Sequence, residues 1–139
     1  MEVSIVPREY VDGCWDGVKE YLEGAAKYTY GRYSVDDIKD CVTDYSDEYN
    51  LWIAFEDDKI YGAVVTQFVH YPRCKMLSMQ FCGGVELKRW KDPMLSTLQR
   101  WAKDTGCEKI ESTGRPGWVK VFKNDGYKQR FITYELPIA

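Results

Sequence analysis

The residues able to do chemistry concentrate in one stretch. A glycine pair, Gly83-Gly84, is followed by Glu86 and then by three cations, Lys88, Arg89 and Lys91. Small residues that let backbone amides approach a ligand, beside a group of cations, are what phosphate-like anions require. A second group stands at Gly114-Arg115-Pro116-Gly117-Trp118. There Arg115 and the adjacent amides could hold an anion or a partner's carboxylate. The same residues also suit a tight turn, with Trp118 anchoring a helix in the core. The five cysteines, Cys14, Cys41, Cys74, Cys82 and Cys107, have neither metal-ligand nor redox-pair spacing, so no metal site is expected. A Cys–His nucleophile would have to use His70, the single histidine, which reads better as a strand-end surface residue.

These groups sit in a chain of 139 residues, enough for one domain spanning 1–139 with its own core. With 45% apolar and 29% charged residues, disordered and fibrous classes are excluded. Eleven Tyr and five Trp leave two readings, an aromatic-rich core and surface or a contact interface. No apolar run approaches the roughly 20 residues of a membrane span. Met1-Glu2-Val3-Ser4 does not open a signal peptide. The expectation is a soluble, intracellular, cytoplasmic protein in a reducing compartment, given the odd cysteine count.

Charge is unevenly placed. Residues 1–69 hold 15 acids and 6 bases, a balance of −9; residues 70–139 hold 7 acids and 13 bases, a balance of +6. Such a chain could dock on partners or on its own copies through opposite faces, or simply present two solvated faces. Nucleic-acid binding is disfavoured, because the bases are dispersed and the pI is about 5.2.

The elements that must position these residues are read from periodicity. Val3–Val6 reads as a strand. Trp15, Val18, Leu22 and Ala25 share one face of a helix from Asp12 to about Tyr28. A Tyr-rich turn leads to a second helix capped by Ser34, with Asp37 as its capping-box partner. Leu51–Phe55 and Ile60–Val69 flank the polar turn 56–59 and make a hairpin. Lys75–Cys82 reads as a strand with Leu77, Met79 and Phe81 on one face. Asp92 then caps a helix with Pro93 at its first position, and Gly106 ends it. Lys109–Thr113 is a strand, Trp118–Lys123 a short helix, and Tyr127–Leu136 a final long strand. The order β-α-α-β-β-β-α-β-α-β implies an α+β fold, a mixed and mostly antiparallel sheet with helices on both faces.

This order resembles the GNAT acyltransferase superfamily across essentially the whole chain. Three features carry the likeness: the hairpin from Trp52 to Gly62, the strand–loop–helix from Leu77 to Thr105, and the closing stretch Trp118-Val119-Lys120-Val121-Phe122-Lys123-Asn124-Asp125-Gly126-Tyr127. In that family a basic or Gln residue and spaced small residues open the central helix over the pyrophosphate of acetyl-CoA. The corresponding loop here, Val85 to Pro93, has no glycine, and Asp92 and Pro93 replace amide donors. Gly83, Gly84, Lys88 and Arg89 are the residues left to serve that cofactor. The family's general-acid tyrosine aligns on Phe122, whose ring has no proton to give. The catalytic candidates that remain are Glu86 and Glu111 as bases and Tyr127 as a substitute acid, with Tyr134 and Cys82 behind it. The chain also resembles a narrower group, small GNAT-like proteins encoded near structural genes of tailed phages. The matches are Gly83-Gly84, Trp90 and Gly114-Arg115-Pro116-Gly117-Trp118.

The likeness implies a GNAT fold with a degenerate acetyl-CoA site, acting as a binding or structural component, virion-associated or assembly-related, in the host cytoplasm or the particle. No cofactor is then expected, and a protein partner or a homo-oligomer is, with Arg115, Trp118 and Trp90 as contact residues. The alternative is an active acyl-CoA-dependent N-acetyltransferase using acetyl-CoA.

Overall fold

A computed structural model describes residues 1–114 and 125–138. Among these residues five strands form one sheet in the order β1-β2-β3-β4-β5: β1 (Glu2–Val6), β2 (Tyr49–Glu56), β3 (Lys59–His70), β4 (Lys75–Gly84) and β5 (Lys109–Ser112). The first four pair antiparallel, and β5 joins β4 in parallel. A parallel neighbour needs a crossover. Here it is α3 (Leu87–Asp104), while α1 (Val11–Ala26) and α2 (Val35–Asp44) link β1 to β2.

The sheet separates two cores. Val11, Trp15, Val18 and Leu22 of α1 and Ile38 and Val42 of α2 pack on Leu51, Ala63, Val65 and Phe81. On the opposite face Trp90, Met94, Leu98 and Ala102 of α3 pack on Trp52, Ala54, Val64 and Leu77. Strand alternation makes this division, since neighbours such as Val64 and Val65 point to opposite layers. The Trp52 indole N–H donates to the Thr66 hydroxyl at 2.9 Å, which satisfies both in the interior. The capping box forms as expected: Ser34 accepts from the Asp37 amide, and the Asp37 carboxylate accepts from the Ser34 amide.

Three expectations change. First, α3 begins at Leu87, not at Asp92, so Pro93 lies inside the helix. The cause is Trp90, only 2% exposed, whose burial against the sheet draws the preceding residues into helix. Second, Phe81 does not share a face with Leu77 and Met79. Thr66 pairs with Met79 and Val65 with Phe81, so Gln80 is an extra, bulged residue that turns the rest of β4 over. Third, residues 127–138 form no strand. Their alternating apolar pattern reports fitness for a sheet, but a strand also needs a partner edge. Residues 115–124, which include Arg115, Trp118, Phe122 and the expected helix Trp118–Lys123, lie outside the described residues.

Candidate functional site

The bulge at Gln80 coincides with the end of β5. Met79–Ser112 is the last pair between the two strands, and β4 then runs on beside β3 to Gly84. Among the described residues its β5 flank has no strand neighbour there, immediately before the head of α3.

At Gly84 the chain must pass closely between neighbours. A Cβ on Gly83 would stand 2.3 Å from the Tyr21 carbonyl oxygen, and one on Gly84 2.3 Å from that of Tyr61. The glycine pair thus seats β4 against α1 and β3. Trp90 fills the adjoining space over Gly62 and Gly84, and its indole N–H donates to the Val85 carbonyl at 2.9 Å. Trp90 is accordingly an internal anchor and not a surface contact residue.

The cations expected to meet an anion have carboxylate partners from this chain. Arg89 donates to Glu56 at the tip of the β2–β3 hairpin and lies 3.6 Å from Glu86. Its guanidinium also stands 4.8 Å from the centre of the Tyr61 ring. Arg89 in turn holds the Glu56 carboxyl below its usual range. Lys91 pairs with Asp125 at 3.1 Å, a contact in which the carboxylate is largely shielded. Lys88 is exposed and pairs with no carboxylate among the described residues. The amides of Glu86, Leu87 and Lys88 meet no acceptor among the described residues, whereas that of Arg89 donates to the Glu86 carbonyl. Glu86 itself adopts a left-handed conformation, φ 52°, in the turn before α3.

Tyr127 reaches the β5 flank of β4. Its hydroxyl donates to the Met79 sulfur at 3.5 Å. It also lies beside the Ser112 hydroxyl, which is buried without a hydrogen bond of regular geometry. Burial, foremost, raises the Tyr127 pKa. Burial likewise pushes the Cys82 thiol up to about 12, so it is protonated at neutral pH. Glu111 stands apart. Ile110 packs toward α3, so Glu111 turns to the opposite face of the sheet, where it accepts from Tyr71 at 2.7 Å.

The structure therefore gathers Gly83, Gly84, Glu86, Lys88, Arg89 and Trp90 around the head of α3, with Tyr127 on the neighbouring flank, and leaves Glu111 out. Sequence reasoning missed Glu56 and Asp125 as counter-charges. Glu56 was legible only as turn material, though an acid in a hairpin tip beside a basic loop was a usable signal. Asp125 gave no signal, because its partner Lys91 is distant in sequence. Two of the three nearby cations pair with carboxylates of this chain, the two glycines already accommodate protein atoms, and α3 opens without a glycine.

No protein-family model and no curated protein matches the chain. Solved structures do. An aminoglycoside acetyltransferase, HMB0005, from an uncultured soil metagenomic sample superposes with a TM-score of 0.74 at 12% identity, covering 99% of this chain and 98% of that one. Aminoglycoside N-acetyltransferase AAC(6')-Iy, solved with CoA, gives 0.67 at 16% identity over 99% and 95%. Ribosomal-protein-alanine N-acetyltransferase from Brucella melitensis biovar Abortus 2308 gives 0.70 at 11% identity over 99% and 100%. The chain has the α+β fold of the GNAT acetyltransferases. At these identities the likeness concerns fold alone, and function must be argued from the site. Among the described residues no helix is long and apolar enough to cross a membrane.

Proposed function

We propose that this GNAT-fold protein does not hold acetyl-CoA in the usual mode and acts instead as a binding or structural component. The observation that carries this reading is the internal neutralisation of Arg89 by Glu56 and of Lys91 by Asp125 at the head of α3. A diphosphate arriving there would have to displace these carboxylates or stand beside them. Its partner is another protein or a second copy of the chain. The resemblance to the small tailed-phage proteins supports a place in the virion or its assembly.

A second reading, an acyl-CoA-dependent N-acetyltransferase, draws support from one feature. Lys88 is exposed and adjoins three amides without acceptors among the described residues. Calorimetric titration with acetyl-CoA separates the two. The binding or structural reading expects no heat at millimolar ligand. Micromolar binding that disappears in the Lys88→Ala/Arg89→Ala double variant would overturn it and direct the search to amine substrates.

A further inference from the structure

The head of α3 offers more donors than its own pairing uses. Lys88, Arg89 and Lys91 stand within one helical turn, and Lys88 is exposed with no carboxylate partner among the described residues. The amides of Glu86, Leu87 and Lys88 add N–H groups without acceptors among the described residues. Cations beside such amides, at the start of an 18-residue helix, make a seat that favours negative charge.

Two carboxylates of this chain already stand at that seat. Glu56 reaches Arg89 from the β2–β3 hairpin, and Asp125 reaches Lys91 at 3.1 Å from the turn before Tyr127. They lie 33 and 34 residues from their partners in sequence, so the fold and not local chain geometry brings them there. Their settings differ. The Arg89 and Glu56 side chains are 40% and 41% exposed, so water screens this pair. The Asp125 side chain is 13% exposed, and its pair with Lys91 is the less screened of the two. Arg89, foremost, keeps the Glu56 carboxyl below its usual range, so it stays ionised at neutral pH.

We infer that Glu56 and Asp125 are internal competitors that hold shut a seat for diphosphate-like anions, a seat that Lys88 and the amides of α3 still provide. The inference rests on the proposed failure to hold acetyl-CoA in the usual mode, and it gives that failure a cause: like charge, not a shortage of donors. A diphosphate entering beside two fixed carboxylates meets their repulsion. It must also compete for the guanidinium and ammonium groups that they occupy. The glycine-free start of α3 is the rival cause. Were that the obstacle, removing the carboxylate charges would change nothing.

The test is calorimetric titration of inorganic pyrophosphate, at low ionic strength, into the full chain and its Glu56→Gln and Glu56→Gln/Asp125→Asn variants, with circular dichroism to establish that each is folded. Both substitutions keep the side-chain shape and remove the charge. The parent should give no heat at millimolar ligand. The double variant should bind about tenfold or more tighter than the parent. Adding Lys88→Ala should then weaken that binding about tenfold or more. A folded double variant that gives no heat overturns the inference and leaves the proposed function standing. Should Asp125→Asn unfold the chain, Glu56→Gln decides, because it alters only an exposed pair; a silent Glu56→Gln variant then overturns the inference. So does a parent that binds pyrophosphate as tightly as the double variant, or binding that survives Lys88→Ala. Micromolar binding of acetyl-CoA by the parent would overturn the proposed function itself, so the two failures are told apart.

Discussion

Replacing Gly62 with alanine probes the seat of Trp90 at its tightest point. A Cβ there would lie 2.4 Å from Cε2 and 2.5 Å from Cζ2 of the indole. Carbon atoms rest about 3.5–4.0 Å apart, so the ring would have to retreat by roughly 1 Å. It has nowhere to go. A Cβ on Gly84 would already be 3.0 Å from the same ring, and the indole N–H is fixed to Val85. Overpacking of this kind costs about 1–3 kcal/mol. For a domain of this size that corresponds to a Tm lower by about 3–10 °C. Thermal unfolding followed by circular dichroism supplies the number, and a double-mutant cycle supplies the mechanism. Trp90→Phe removes the atoms that clash, so Gly62→Ala should cost less in that background than in the parent. A Gly62→Ala variant with the parental Tm, or strictly additive costs, would refute the packing argument.

Further outcomes are expected at two hydrogen-bonded sites. Ser34→Ala removes the acceptor for the Asp37 amide and should destabilise the protein by about 1 kcal/mol in urea titration. The Ser34 amide and hydroxyl lower the Asp37 pKa, so the carboxylate's contribution is present above the ordinary aspartate range and is lost as pH falls through the lowered folded value. Asp37→Asn should therefore be less stable than the parent at neutral pH and converge with it in acid, as urea midpoints measured across that range would show. Thr66→Val keeps the shape of a fully buried residue but strands the Trp52 indole N–H, and should cost about 1–3 kcal/mol by denaturant midpoint.

Local chemistry made much of this fold readable. Ser34 and Asp37 announce their capping box through side chains that bond to neighbouring amides, and Gly106 ends α3 at φ 82°. The acidic turn between β2 and β3 is equally local, with Asp57 at φ 54°. What escaped depends on distant partners. The start of α3 is set by Trp90 meeting Gly62, which lies on another strand, so Asp92-Pro93 gave a false start signal. The bulge at Gln80 is decided by the pairing of β3 with β4 and leaves no mark in the alternation of Leu77, Met79 and Phe81. At the site, the sequence displayed Lys88, Arg89 and Lys91 but not the carboxylates that answer two of them.

The extra residue in β4 also bears on how this chain can diverge. Before Gln80, Leu77 and Met79 face α3; after it, Phe81 meets α1 and α2, and Gly83 slips under the Tyr21 carbonyl. A substitution at Gln80 leaves that arrangement standing. A one-residue deletion there would leave Thr66 opposite Met79 and Val65 opposite Phe81 in regular alternation, with each side chain on its present face, whereas pairing the full strand without the bulge would set Phe81 against α3 and bring a side chain to the carbonyl that only glycine can approach. Related chains should therefore vary in residue type at this point, and a one-residue gap here is compatible with the same faces on the strand on which the head of α3 depends.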